Sequence, residues 1–142
     1  MSKLDYGFWL AGQAAGGLLY AWPVSALIVL AVVYSFWSAP MPSRKRLVVV
    51  FLMSQLLLLV PGAQLVLGAV LEAPVQRQGA FSPESLTALN VLQIGQFALA
   101  ASLVYLARAG LRLRALACAL PSIWFSLWAR FVAGMSITGD WL

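Results

Sequence analysis

The sequence predicts an all-α integral membrane protein with four transmembrane helices, arranged as an up-down bundle of two hairpins. Of the 142 residues, 63% are hydrophobic and only 9% are charged, whereas soluble domains carry about 25% charged residues. Apolar stretches of about 20 residues, the length of a membrane-crossing helix, recur along the chain. Basic residues cluster between these stretches. We therefore interpret residues 1–142 as one transmembrane domain.

The composition also argues against several classes of function. The net charge is +5, but the basic residues flank apolar runs, so we expect no nucleic-acid partner. The chain contains no histidine, which removes imidazole ligands and histidine acid–base chemistry. With no motif for a nucleophile, a metal or a cofactor, the sequence predicts that the protein is not an enzyme and binds no cofactor.

The first apolar run, from Tyr6 to Trp37, is longer than a membrane span requires. As a straight helix it would be about 48 Å long at about 1.5 Å per residue, whereas the hydrocarbon core is about 30 Å thick. We predict the first span at residues 15–37 and expect the preceding N-terminal segment to lie partly in the membrane interface.

Proline and capping residues locate the other helices. The remaining spans are predicted at residues 47–71, 84–107 and 115–137. Within the second span, Pro61-Gly62 should loosen the backbone hydrogen-bond ladder and kink the helix. The third span begins with Ser82-Pro83-Glu84, which combines a capping serine, a proline at the first helical position and an acid at the positive end of the helix dipole.

The distribution of lysine and arginine predicts the orientation. Two turns carry most of the basic residues: Arg44, Lys45, Arg46, Arg108, Arg112 and Arg114. The other side carries Lys3, Arg77 and all four acids. We interpret the six basic residues as topogenic and cytoplasmic, with both termini outside. The sequence thus predicts a multi-pass plasma-membrane protein, and its Ala/Leu/Arg-rich composition and short loops favour a bacterial inner membrane.

Polar side chains inside the spans are the candidate binding residues, because such side chains are costly in lipid. They are Arg130, Asn90, Gln93, Gln64 and Gln96. The three on the third span advance by three residues and cover a stripe about 120° wide. They could form hydrogen bonds between helices or line a polar cavity. Arg130 could complete an outward-facing pocket for a carboxylate or phosphate, or extend to the lipid headgroups.

The fourth span has two different faces. One carries Trp124, Trp128 and Phe131, and the other carries Ala115, Ala119, Ser122, Ser126, Arg130 and Ala133. Small residues allow close helix packing, so we expect the small face to be internal and the aromatic face to meet lipid or a partner. On the second span, Gln55 is half a turn out of phase with Gln64 and should face a neighbouring protein or a second copy.

Two functions are compatible with these features. Small-residue faces, polar contacts and an absence of catalytic motifs favour a non-catalytic subunit, stabiliser or regulator of a larger membrane complex, including an immunity-type protein. The alternative is a small oligomeric channel or transporter with an anion or lipid-headgroup site around Arg130. The expected partners are membrane lipids and either another membrane protein or further copies of the chain.

The orientation can be tested with cysteines introduced at Ser43 and Gly79. In intact cells, a membrane-impermeant reagent should label the cysteine at Gly79 and not the one at Ser43, because basic turns stay in the cytoplasm. The native chain, whose single cysteine is Cys118, is the control. Neutral residues in place of Arg44, Lys45 and Arg46 should give mixed orientations. Labelling of both cysteines from one side would contradict the four-span arrangement.

Overall fold

The computed structural model describes residues 3–38, 44–71, 83–107 and 111–139. In these ranges every regular element is an α-helix: α1 Lys3–Tyr20, α2 Trp22–Ser38, α3 Arg44–Val70, α4 Pro83–Leu106 and α5 Arg112–Thr138. The all-helical prediction is confirmed for this part of the chain. Helices α3, α4 and α5 correspond closely to the second, third and fourth predicted spans, and α4 begins at the predicted proline.

Two to three of the described helices are candidates for membrane spans. Helices α4 and α5 are each long and apolar enough to cross a bilayer. The α1–α2 pair is a third candidate if the two helices are taken as one bent span. In α3, the apolar segment Gln55–Val70 is shorter than a typical span. Length and composition therefore support a membrane protein and leave the predicted four-span bundle unconfirmed.

Residues 15–37, predicted as the first span, do not form one straight helix, because the chain bends by 86° between α1 and α2. Pro23 has no N–H to donate to the carbonyl of Leu19, and its ring clashes with that carbonyl in a straight helix. The hydroxyl of Ser25 donates to the neighbouring Leu18 carbonyl at 2.8 Å. The proline thus removes one backbone bond at the bend, and a serine side chain binds another carbonyl there.

The N-terminal segment packs into the bundle along α1. Tyr6, Leu10 and Ala14 are buried there against α3 and α5. These residues follow one another at intervals of four, which places them on a single face of the helix. One face of this segment belongs to the core of the described helices, and its expected location in the membrane interface stays a prediction.

Helix α5 is central to the fold and packs against each of the other four described helices. Its buried face is formed by small side chains: Ala115, Ala119, Ser122, Ser126, Ala129, Ala133 and Ser136. They alternate at intervals of four and three residues, the spacing that keeps one stripe facing neighbouring helices. The predicted small-residue face is confirmed, except that Arg130 is exposed.

Helix α3 runs parallel to α5 and packs closely against it at Gly68. The carbonyls of Leu57 and Gly68 accept hydrogen bonds from Ser122 and Ser136, respectively, so both helices ascend in the same direction. A Cβ atom on Gly68 would lie only 2.8 Å from the Cα and Cβ atoms of Ala133. Only glycine fits at this contact.

Helix α4 runs antiparallel to α5. Early in α4, Asn90 contacts Arg130 near the C-terminal end of α5, whereas further along α4, Gln96 contacts Ser122. Helices α3 and α4 therefore both pack on the small-residue face of α5. This packing brings the predicted polar side chains of α3 and α4 together.

The predicted aromatic face of α5 is largely covered, in contrast to the expectation that it meets lipid or a partner. The indole N–H of Trp124 donates to the Ser25 hydroxyl at 3.0 Å. The Trp128 ring lies against Gly17, where any Cβ atom would collide with it. Phe131 remains exposed. The bent α1–α2 pair covers the two tryptophans, so Trp128→Leu should be destabilising and not mild.

The close approach of α3 to α5 predicts different outcomes for two glycine substitutions. Gly68→Ala should lower the free energy of unfolding by about 1–3 kcal/mol, because the added methyl would overlap Ala133. Gly95→Ala is the control, since a Cβ there has open space and alanine favours a helix over glycine. Thermal unfolding of the purified proteins in detergent measures both. Equal stability of the two variants would contradict the predicted packing.

Candidate functional site

The five predicted binding residues lie along the meeting line of α3, α4 and α5, but they form two separate groups. Gln64, Gln93 and Gln96 are buried, whereas Asn90 and Arg130 are exposed. The predicted single pocket is therefore divided into an internal amide cluster and a surface pair.

The first tier of the internal cluster joins one side chain from each of the three helices. The amide of Gln64 donates from Nε2 to Oε1 of Gln93 at 3.2 Å. The hydroxyl of Ser126 lies 3.1 Å from Gln64 Oε1 and 3.2 Å from Gln93 Oε1. A hydroxyl carries one proton, so Ser126 donates to one of the two oxygens at a time. This tier links α3, α4 and α5 by neutral hydrogen bonds.

A second tier satisfies a backbone carbonyl of α3 that has lost its helical donor. Pro61 lies inside this helix and cannot donate to the carbonyl of Leu57, four residues earlier. The Ser122 hydroxyl donates to that carbonyl at 2.9 Å and accepts from Gln96 Nε2 at 2.8 Å. The proline predicted to loosen the ladder does remove one backbone bond, and a serine of α5 replaces it.

A third tier binds the C-terminal end of α3, where helical carbonyls lack backbone donors. Ser136 donates to the carbonyl of Gly68 at 2.9 Å, and its hydroxyl lies 3.0 Å from the hydroxyl of Tyr6. Nearby, Nζ of Lys3 donates to the carbonyl of Val70 at 2.8 Å. Helices α1 and α5 thus each satisfy one of the carbonyls at the end of α3.

The internal cluster leaves two polar atoms without a hydrogen-bond partner among the described residues. They are the donor Nε2 of Gln93 and the acceptor Oε1 of Gln96, and both are buried. The two residues lie one turn apart on α4. The cluster therefore retains one donor and one acceptor that its own side chains do not pair.

The surface pair consists of Arg130 and Asn90, with Arg130 Nη2 donating to Asn90 Oδ1. A guanidinium has five N–H donors, so this bond leaves others for an anion. Beside the pair is a groove of about 240 Å³, lined partly by Leu86, Leu89 and Gly134. The geometry holds Arg130 at the surface and away from the Gln64–Gln93 tier.

The predicted topogenic residues are only partly described. Arg112 is exposed, as expected for a turn. Arg114 is only 2% exposed, and its guanidinium lies 5.7 Å from the ring centre of Phe36, an arrangement that favours a cation–π interaction. The side chains of Arg44, Lys45, Arg46 and Arg108 lie outside the described residues.

Several of these contacts were not predicted from the sequence. Arg114 was assigned to a turn, although it lies one helical turn before Ala117, which is also buried. Ser122 and Ser126 were placed on the internal face but not recognised as hydrogen-bonding partners. The contact between Tyr6 and Ser136 had no detectable signal, because it joins opposite ends of the chain.

The chemistry available at these sites is that of amides, hydroxyls and guanidinium groups. Among the described residues, no three His, Cys, Asp or Glu side chains are grouped to hold a metal ion. No protein-family model, curated protein or solved structure matches the chain. Its function is therefore inferred from the geometry of these two groups.

Ser122 supplies the hydrogen bond that Pro61 removes from α3, so substitutions at these two positions should have non-additive effects on the free energy of unfolding. Ser122→Ala should lower the free energy of unfolding by about 1–3 kcal/mol, because the Leu57 carbonyl and Gln96 each lose a partner. In a Pro61→Ala background the cost should be smaller, since the new N–H can bond that carbonyl. Denaturation in mixed micelles measures all combinations.

Ser102→Ala, at an exposed position on α4, is the matched control and should change stability by less than about 0.5 kcal/mol. Additive costs for Ser122→Ala and Pro61→Ala would show that the two residues are energetically independent.

Proposed function

We propose that this chain crosses the membrane four times, with the basic turns in the cytoplasm and both termini outside. Two contacts support a crossing by the bent α1–α2 pair. Tyr6 meets Ser136 near one end of α5, and Phe36 meets Arg114 near the other end. This part of α5 rises about 33 Å, comparable to the hydrocarbon thickness of about 30 Å. A re-entrant loop would return to the end where it began.

Helix α3 supplies the further crossing in this proposal. It has 27 residues and is therefore about 40 Å long. It runs parallel to α5 through the contacts of Leu57 and Gly68, and it begins next to the basic turn at Arg44. The charge asymmetry and this helix order support a multi-pass protein of the plasma membrane, in a bacterium the inner membrane.

Within the membrane, we propose a non-catalytic subunit, stabiliser or regulator of a larger complex, including an immunity-type role. The observation that carries this proposal is the closed polar interior. Gln64, Gln96 and Ser126 are each 0% exposed, and each is hydrogen-bonded to another helix. A transport path needs polar groups that reach water, whereas this cluster is suited to holding helices together.

The outer surface is suited to lateral contacts. Helix α2 packs on α5 and, to a small extent, on α1 among the described helices. It leaves a row of large apolar side chains exposed, namely Trp22, Leu27, Leu30, Val33, Tyr34 and Trp37. Tyrosine and tryptophan are enriched at membrane and protein interfaces. This surface is available to membrane lipids or to the helices of a partner protein.

A second candidate function is favoured by the exposed Arg130–Asn90 pair. It is a small oligomeric channel or transporter in which the remaining donors of Arg130 bind a carboxylate or a phosphate, such as a lipid headgroup. Asn90 would orient the guanidinium toward the adjacent groove. Because the interior of the bundle is closed, the transport path in this function would run between copies of the chain.

Extraction of the tagged chain in a mild detergent, followed by mass measurement, distinguishes these functions. We expect a different membrane protein to co-purify in fixed proportion, and to do so equally with Arg130→Leu. A control preparation should use an unrelated tagged protein of similar size. An assembly of three or more copies without another protein would contradict the subunit role. Loss of function in Arg130→Leu with Arg130→Lys partly active would then favour the anion site.

A further inference from the structure

The outer face of α3 carries a polar residue that the bundle does not use. Gln55 is exposed, whereas Gln64, on the opposite face, is buried. This agrees with the sequence-based expectation that the two glutamines point in different directions. Among the described residues, Gln55 makes no side-chain hydrogen bond.

Gln55 would lie deep in the membrane if α3 crosses it as proposed. It is about 14 Å along the helix axis from Arg46, at about 1.5 Å per residue, and thus near the middle of a hydrocarbon core about 30 Å thick. An amide at that depth finds no water and is unfavourable without a hydrogen-bond partner. None of the described residues supplies this partner, so a polar group of a second molecule would satisfy the amide.

The exposed residues around Gln55 form a regular stripe along α3, which we name the Gln55 seam. It consists of Val48, Leu52, Gln55, Leu59, Gly62 and Val66, all of which are exposed. Their spacing alternates between four and three residues. This is the period with which two helices pack side by side as a left-handed pair.

The two glycines of α3 differ in what they pack against. Gly68 is needed inside the chain, because a Cβ atom there would overlap Ala133. A Cβ atom at Gly62 would meet nothing within 4 Å. The small size of Gly62 is therefore not required by packing among the described residues, and it leaves a shallow position in the seam where another helix can approach closely.

We infer that a second copy of this chain covers the Gln55 seam, with α3 packed against α3 about a two-fold axis along the membrane normal. Both copies insert with the same orientation, so their α3 helices are parallel and residues of the same number face each other near the axis. A glutamine amide offers both a donor and an acceptor. The two Gln55 side chains can thus bond each other.

The composition of the seam favours this partner over lipid. The other seam residues are apolar or glycine, so Gln55 is the one group that specifies register, as a single polar residue does in a coiled coil. A second copy presents an amide at the same depth without any further requirement on its sequence. The inference rests on the proposed membrane crossing of α3 and not on the proposed role in a larger complex.

Cross-linking in native membranes tests the pairing. In a Cys118→Ala background, Leu59→Cys should form a disulfide-linked dimer on mild oxidation. Ile94→Cys on α4, whose native side chain is about as exposed as that of Leu59 (67% and 65%), is the matched control and should remain largely monomeric. Equal cross-linking at the two positions, or a monomer in both cases, would overturn the inference.

Removal of the amide tests the contribution of Gln55. Gln55→Leu in the Leu59→Cys protein should lower the dimer yield several-fold, whereas Gln55→Asn should retain part of it. Gln13→Leu removes another exposed glutamine and should leave the yield unchanged. An unchanged yield in Gln55→Leu would contradict the inference. Failure of the membrane crossing would appear separately, in the labelling pattern of the Ser43 and Gly79 cysteines.

Discussion

A backbone carbonyl that loses its helical partner inside an apolar bundle must find another donor, and the packing of α3 depends on this requirement. Pro61 removes the donor for Leu57, and the end of the helix leaves Gly68 and others without one. Two serines of α5 supply these hydrogen bonds directly. Because the bonds come from short side chains, they also constrain the distance between the two helices.

The same constraint explains the composition of α5. A serine side chain reaches a neighbouring carbonyl only if the two backbones lie close together, and close approach requires small residues between the serines. The alternating alanines and serines of the buried face meet both requirements. Gly68 extends this arrangement on the facing helix. Polar bonding and close packing are therefore two properties of one stripe.

The division of polar groups between inside and outside bears directly on function. The buried amides of Gln64 and Gln93 bond each other and the hydroxyl of Ser126, and they thereby join three helices. On the described surface, Arg130 and Gln55 are among the exposed polar side chains that other molecules could reach.

The sequence by itself determined the helical class, the approximate limits of α3, α4 and α5, and the internal face of α5, because apolar length, proline position and helical period are local properties. It also placed Gln55 and Gln64 on opposite faces of one helix. Only the tertiary structure decided which neighbours covered each face. The 86° bend before α2 brings Gly17 and Ser25 over the tryptophans of α5. Arg114, which was assigned to a turn, is buried, and Arg130, which was placed on the internal face of α5, is exposed. Both differences have the same reason, since burial depends on the packing of distant helices and not on position along one helix.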